Sequence, residues 1–533
     1  MFSEEATVKK GILFLLLLTV ASSLLISVSF PPLDFGFCAW FGLAPLLFAL
    51  RQRGFVEASF LGFLFGSLFG IGAHFWTLHI DAIDLLKFVT MLIMFSIYFL
   101  VFGIFYKLIT GNLESWTLIG GPALWITLEF MRSNMFFLSW PWNLLGHSQH
   151  SFLPVIQIAD VTGVYGTSFL LVMVNQFLSE VPELFKMRKE SLSVRARRFP
   201  FDKRLVEHLL SIIFVGLITF SYGWYKLNLP DSGRHLRIAL IQANVLTRDD
   251  MTFTEQKLHM MKYVHLTRDA AMSKPDLVVW PSSSIPAPIS NRFVRLTVLL
   301  LAKEIETYIL VGGAGHEKDS PKKEGYFPYS NSEFLISPQG GFVGQYNKIR
   351  LLPFNEYVPL QGKFTWPEWI TSVKESFIAG TEYTLFHAVG TKFSTPICWE
   401  NIFPEFFRRF VDKGAQFMVS VTNEGFLGHS SSAGPYQTLA INVFRAVENR
   451  VAVARAATTG VSCFINPNGE IVDRIKDGNG NDLFVPGILI RDIPLSDRKT
   501  FYTNYGDIFA YVIIAITVMI ILGSAMRAIK KPS

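Results

Sequence analysis

The chain has 533 residues, half of them hydrophobic and only 17% charged, with 50 Phe and a mean hydropathy of +0.35. Soluble domains carry about 25% charged residues, so these figures exclude a wholly soluble chain and indicate a hybrid of lipid-embedded and water-exposed parts. Three cysteines, Cys38, Cys398 and Cys463, argue against a disulfide framework, and the net charge of +6 traces to basic loops between apolar runs.

A helix needs about 20 apolar residues to cross a bilayer. Runs of this kind predict spans near 11–30, 36–50, 56–79, 86–108, 116–132, 161–180 and 208–226, with an eighth at about Ile508–Leu522; the second and fifth are short. Lys9 and Lys10 ahead of the first run resemble a signal peptide, but Phe30-Pro31-Pro32 offers no small-residue cleavage site, so an uncleaved helix is expected. Lys and Arg mark cytoplasmic loops. Here they are Lys9, Lys10, Arg51, Arg53, the run Lys186, Arg188, Lys189, Arg195, Arg197, Arg198, Lys203, Arg204, and finally Arg527, Lys530 and Lys531. With eight spans all these loops share one side, and the polar stretch between the last two spans lies on the other. The basic run is therefore expected to set topology and not to bind nucleic acid. The outer loop Phe136–His147 carries Trp140 and Trp142, which serve either as an interfacial anchor or as the wall of a lipid-accessible site; both uses make them lipid- or substrate-facing.

After residue 230 charges recur every few positions. Leu236–Asn244, Asp276–Pro281, Tyr308–Gly312, Ser332–Ser337, Thr391–Cys398 and Gln416–Thr422 read as strands, and 254–272, 292–305 and 435–449 as helices. Strands interleaved with helices predict an α/β or layered α+β domain. Three strand ends are unusual: Trp280-Pro281-Ser282, the stretch from Tyr346-Asn347-Lys348 to Pro359, and Ile397-Cys398-Trp399-Glu400. A lone Cys at a strand end is usually a small hydrophobe and a lone Lys usually solvated; only in combination do they suggest a nucleophile with a cationic partner. No Gly-rich phosphate loop or paired-Cys zinc pattern occurs, and neither cofactor nor metal is expected.

Taken together, Tyr346-Asn347-Lys348, Leu352-Pro353-Phe354-Asn355-Glu356-Tyr357-Val358-Pro359 and Ile397-Cys398-Trp399-Glu400 resemble the carbon–nitrogen hydrolase (nitrilase) superfamily, and within it the apolipoprotein N-acyltransferases. Ser29–Asp34, Gly42–Leu47, Trp140–Gly146, Pro435-Tyr436-Gln437, Phe444–Arg450, Thr458–Ser462 and Pro467-Asn468-Gly469 match in order along nearly the whole chain. The resemblance implies about eight transmembrane helices joined to an αββα sandwich. With the apolar runs and basic loops, this divides the chain into 1–230 (seven spans), 231–503 (the nitrilase-like catalytic domain, expected to be periplasmic) and 504–533 (the last span and a cytoplasmic tail). It implies Cys398 as nucleophile, Lys348 as oxyanion donor and Glu356 as its support, with Trp399, Glu400, Asn423 and Glu424 around them.

Several positions depart from the family. The general-base glutamate that follows the Trp-Pro pair is replaced by Ser282, Trp399 stands for a tyrosine, and Asn423-Glu424-Gly425-Phe426 differs from the usual Asn-Asp-Ala-Trp. A hydroxyl cannot accept a thiol proton as a carboxylate does, and loss of a general base costs about 10²–10⁴-fold. Another carboxylate (Glu356, Glu400 or Glu424) serves instead, or the chain is a weakened variant, or a silent paralogue that binds lipid or lipoprotein. A membrane-tethered amidase, with water as the second acceptor, is a third possibility. The expected function is transfer of a phospholipid acyl chain, through a Cys398 thioester, to the N-terminal amine of diacylglyceryl-modified apolipoproteins. The expected setting is a monomer in the bacterial inner membrane, in contact with lipid and with no nucleic-acid partner.

Overall fold

The computed structural model describes residues 2–80, 83–191, 203–230, 233–248, 250–316, 329–371, 373, 376–425 and 433–530. Arg195, Arg197, Arg198, Lys531 and Phe426, singled out in the sequence, lie outside these residues. The chain divides into two compact units. One comprises residues up to 228, apart from a short piece near 80, together with 507–533; the other comprises chiefly 229–506.

The first unit is helical. Among the described residues, five helices are long and apolar enough to cross a membrane: Gly11–Val28, Phe55–His79, Leu85–Asn112, Lys203–Leu227 and Ile508–Lys530. The eight expected spans are thus not all of spanning quality. Thr117–Ser133 has 17 residues, and Val164–Ser191 is long but more polar. The expected span 36–50 is broken into a 3₁₀ turn, Gly36–Trp40, and the eight-residue helix Ala44–Arg51. Eight residues rise only about 12 Å. The break is stabilised by a buried polar side chain: Asn175 Oδ1 accepts the N–H groups of Leu43 and Ala44 at 2.8 and 2.9 Å, and its Nδ2 donates to Ala39 O. Backbone groups freed from a helix in an apolar setting need such partners.

Trp140 donates its indole N–H to His74 and stacks on Trp142, which also packs against Trp76. Trp142 is buried, and the ring this segment exposes most is Phe136. The lipid-facing position expected of Trp142 is therefore not seen within this unit, because stacking between two other indoles encloses it.

Gly62, Gly66 and Gly70 recur every four residues on Phe55–His74, forming a seam against Leu85–Asn112. A Cβ at Gly66 would sit 2.9 Å from Ser96 Cα and 2.7 Å from the Phe99 ring. Small residues at this spacing let two helices approach closely where no hydrophobic effect drives them together.

The second unit is a four-layer sandwich. Among the described residues twelve strands form two six-stranded sheets: β1 His235–Gln242, β2 Leu277–Val279, β3 Tyr308–His316, β4 Tyr329–Ile336, β5 Phe342–Asn347, β6 Phe386–Ala388, β7 Thr391–Ser394, β8 Phe417–Thr422, β9 Ala452–Ala457, β10 Cys463–Ile465, β11 Ile471–Arg474 and β12 Gly487–Pro494. The sheet orders are β12-β1-β2-β3-β4-β5 and β11-β10-β9-β8-β7-β6. Alternation sorts the side chains of the first sheet. Ala239, Ile241, Val278, Ile309, Val311, Phe334 and Ile336 pack against the helices Phe253–Ala271 and Arg292–Glu304. The intervening Leu240, Val279, Leu310 and Leu335 are equally buried and point to the other face, toward the second sheet.

Local signals start the helices. Thr252 and Glu255 form a reciprocal capping box, and Asn291 accepts the N–H groups of Phe293 and Val294. On the second sheet, Pro404 begins Pro404–Asp412, which buries Phe406, Phe407 and Phe410, and Ala433–Asn449 lies beside it.

Gly66→Leu is expected to destabilise the helical unit by about 3 kcal/mol, since the opposing atom is backbone and cannot rotate away. Thermal unfolding of the detergent-solubilised protein measures this.

Candidate active site

Lys348 is the first residue after β5. Its N–H donates to Asn331 O and its carbonyl accepts Gly380 N–H, both at 2.8 Å, so the backbone is held on either side. The side chain is buried, with Nζ 2.8 Å from Glu356 Oε1 and 2.7 Å from Oε2. Glu356 sits in a tight turn: its own N–H donates to Leu352 O, while Phe354, at φ 62°, donates to Tyr357 O. Its carboxylate also accepts Leu352 N–H at 2.7 Å and the Asn331 side-chain amide at 3.2 Å. Burial works against the ammonium, yet Glu356, helped by Cys398 and Glu400, outweighs it and holds Lys348 above the usual lysine value.

Cys398 follows Ile397, which bridges to Val421 of β8. β7 ends at Ser394, earlier than the sequence pattern suggests, because Pro396 has no N–H to donate to a ladder. Cys398 then takes φ 50°, a left-handed conformation costly for a residue with a Cβ, and opens the 3₁₀ turn Cys398–Ile402. Its sulfur accepts the backbone N–H of Asn423. Burial pushes the thiol above its ordinary value of 9.0, opposed by the Lys348 ammonium and reinforced by the negative charges of Glu356 and Glu424. The resting group is a thiol, and attack requires something to take its proton.

Glu400 is fully buried. Its Oε1 accepts Ile349 N–H and Arg350 N–H at 2.8 and 2.9 Å, its Oε2 accepts Ile397 N–H at 2.7 Å, and Tyr346 O–H reaches both oxygens at 2.8 Å. Burial pushes it up to about 7, against the pull of Lys348 and of these donors. Trp399 stacks edge-on against Phe403, over which lies the Arg350 guanidinium. Asn423 and Glu424 follow β8. Asn423 Oδ1 accepts Thr458 O–H, and Glu424 Oε1 pairs with the buried Arg455 at 2.5 Å.

Lys348, Glu356, Cys398, Glu400, Asn423 and Glu424 thus lie in one cluster. Ser282, in the turn after β2, is buried, and its Oγ has no hydrogen-bond partner among the described residues. Trp140 and Trp142 belong to the helical unit. The sequence reading missed Asn331 and Tyr346, which hold Glu356 and Glu400. It also missed Glu333, a carboxylate buried beside Ser282. A Glu within the strand pattern Ser332–Ser337 was the available signal.

A profile of the apolipoprotein N-acyltransferase N-terminal domain matches residues 22–177, and a carbon-nitrogen hydrolase profile matches 237–502. An apolipoprotein N-acyltransferase of Geobacter metallireducens is 32% identical over 511 residues, covering 94% of this chain and 93% of its own. The chain belongs to the apolipoprotein N-acyltransferase family. A further member, from Chlorobaculum tepidum, is 29% identical over 539 residues, or 96% of each chain. Membership of the apolipoprotein N-acyltransferases accounts for both units at once, an apolar helical one and a nitrilase-like sandwich with its two sheets.

Two outcomes follow from this geometry. Glu400→Gln leaves at least one of the three backbone N–H groups facing an amide NH₂, and should cost about 2 kcal/mol in thermal unfolding. Alkylation of Cys398 by iodoacetamide, followed by peptide mass spectrometry, should keep climbing with pH to 9 and beyond. Lys348→Met should lower it throughout, since loss of the ammonium raises the thiol further; a plateau below pH 8 would mean a preformed thiolate.

Proposed function

We propose that this chain moves an acyl chain from a phospholipid to the α-amino group of the lipid-modified N-terminal cysteine of apolipoproteins, with Cys398 carrying it as a thioester. The observation that carries this reading is a buried ammonium, Lys348, acting on a thiol held in a left-handed turn, in a family whose relatives are named for N-acylation.

In the first half-reaction the thiol gives up its proton and the thiolate adds to the phospholipid ester carbonyl. The Lys348 ammonium stabilises the developing oxyanion, an effect worth about 3 kcal/mol per donor. The ester C–O bond breaks, and the departing lysophospholipid oxygen takes up a proton. In the second half-reaction the unprotonated α-amine attacks the thioester, the C–S bond breaks, and the proton lost by the nitrogen ends on the departing sulfur, restoring the thiol. An α-amine has a pKa near 8, so a usable fraction is neutral at pH 7. Glu356 keeps Lys348 charged and in position.

The same reading makes residues 1–230 the membrane domain with seven passes, 231–503 the catalytic domain on the periplasmic face of a bacterial inner membrane, and 504–533 the eighth pass and cytoplasmic tail. The protein then acts as a monomer without a nucleic-acid partner. Five long apolar helices and the positions of the basic loops support it. Both substrates are lipid-anchored, so a membrane-bound enzyme meets them without extracting either. Ser282 favours a second reading, a slow or silent paralogue that binds lipid or lipoprotein without turnover.

Incubation of the purified protein with a labelled phospholipid should give a hydroxylamine-sensitive acyl adduct on Cys398 that Cys398→Ala abolishes. No adduct in the native protein, but one in Ser282→Glu combined with Glu333→Ala, would favour the silent reading.

A further inference from the structure

The nucleophile needs a proton acceptor, and two of the carboxylates that the sequence offered, Glu356 and Glu400, are already committed. Glu356 spends both oxygens on Lys348, Asn331 and the Leu352 N–H. Glu400 binds three backbone N–H groups and Tyr346. Glu424 gives its Oε1 to Arg455, while its Oε2 is buried without a hydrogen-bond partner among the described residues.

Glu333 is different. It lies on β4, opposite Gly312 of β3 and Tyr346 of β5. Strand alternation puts it on the face shared by Asn331 and Tyr346, the two side chains that hold Glu356 and Glu400. It is fully buried, and neither carboxylate oxygen has a hydrogen-bond partner among the described residues. A Cβ built at Gly312 would meet Glu333 Oε1, Ser282 Cα at 2.7 Å and Pro281 O at 2.8 Å. The carboxylate, the serine and the bare glycine therefore surround one point. Ser282 Oγ, beside it, is also buried and unpartnered. A buried carboxyl without a partner is costly and calls for a reason.

We propose that Glu333 is the acid–base carboxylate of this site, reaching from β4 into the space that a longer side chain at position 282 would fill. The inference rests on the reading of Cys398 as acyl acceptor. In the first half-reaction the ionised carboxylate takes the proton from Cys398 Sγ as sulfur bonds to the ester carbon. It returns that proton to the lysophospholipid oxygen as the C–O bond breaks. In the second half it takes a proton from the attacking nitrogen and gives it to the departing sulfur as the C–S bond breaks, which restores the thiol and the carboxylate. Burial raises Glu333 well above the ordinary carboxylate value, as it raises the thiol, so the acylation rate should climb with pH as the carboxylate ionises, and the ionised form is then a strong base.

The test is the single-turnover rate of Cys398 acylation by labelled phospholipid, with thermal unfolding measured in parallel. Glu333→Gln keeps the shape and breaks no hydrogen bond. It should slow acylation about 10²–10⁴-fold, the usual contribution of a general base, at an unchanged or higher melting temperature. Ser282→Glu combined with Glu333→Ala moves the carboxylate to the turn after β2 and should recover the rate to within about tenfold of the parent, a rescue no merely structural role would produce. Acylation of Glu333→Gln within about threefold of the parent rate would overturn the assignment, since a general base is worth far more than that. A parent protein that never acylates would overturn the underlying reading instead, and the two failures are distinct.

Discussion

The arrangement around Cys398 depends on one carboxylate. Glu400 accepts backbone N–H groups from Ile349 and Arg350, immediately after Lys348, and from Ile397, immediately before Cys398. Lys348 follows the edge strand of one sheet and Cys398 follows a strand of the other. A single buried side chain thus ties together two loops from opposite layers, and the spacing of ammonium and thiol follows from that tie. The cost is visible in the carboxylate itself, whose burial lifts it to about 7 despite the donors around it. Such networks stabilise only when every member is satisfied, and here Tyr346 supplies the remaining donor.

The ion pair beneath it has a different character. Lys348 and Glu356 are both withdrawn from water, and removing either would leave a charge stranded. The pair holds the ammonium charged in an environment that would otherwise discharge it. That same charge pulls the Cys398 thiol down but does not overcome burial. A site with a resting thiol and a permanent ammonium has its oxyanion donor ready and its nucleophile held in reserve, which limits side reactions while no acyl donor is bound.

Much of this was legible in the residues. The residue pattern marked β1 and β8 close to their observed bounds and caught part of β3 and β4, and the Lys348, Glu356 and Cys398 motifs lie in one cluster. What was not legible has physical causes. Hydropathy treats 36–50 as one apolar run and cannot see Asn175, more than a hundred residues later, capping a break within it. It cannot see that Trp142 is enclosed by Trp76 and Trp140. Glu333 was hidden for a related reason. A charged residue in an alternating strand reads as facing water, and only the second sheet shows that neither face of β4 does.

Chemistry at a buried site constrains where a charge lies, not which Cα carries it. The turn after β2 and the middle of β4 lie on either side of β3, so a long side chain from either can reach the same volume over the strand between them. That volume exists because position 312 is glycine; any Cβ there would collide with Glu333 Oε1 and with the backbone at Pro281 and Ser282. A short side chain at 282, none at 312 and a long one at 333 therefore form one packing solution. Lengthening the first without shortening the third would overfill the space. The serine that looks like a lost function at one position is, in the folded sheet, the room that a carboxylate from a neighbouring strand requires.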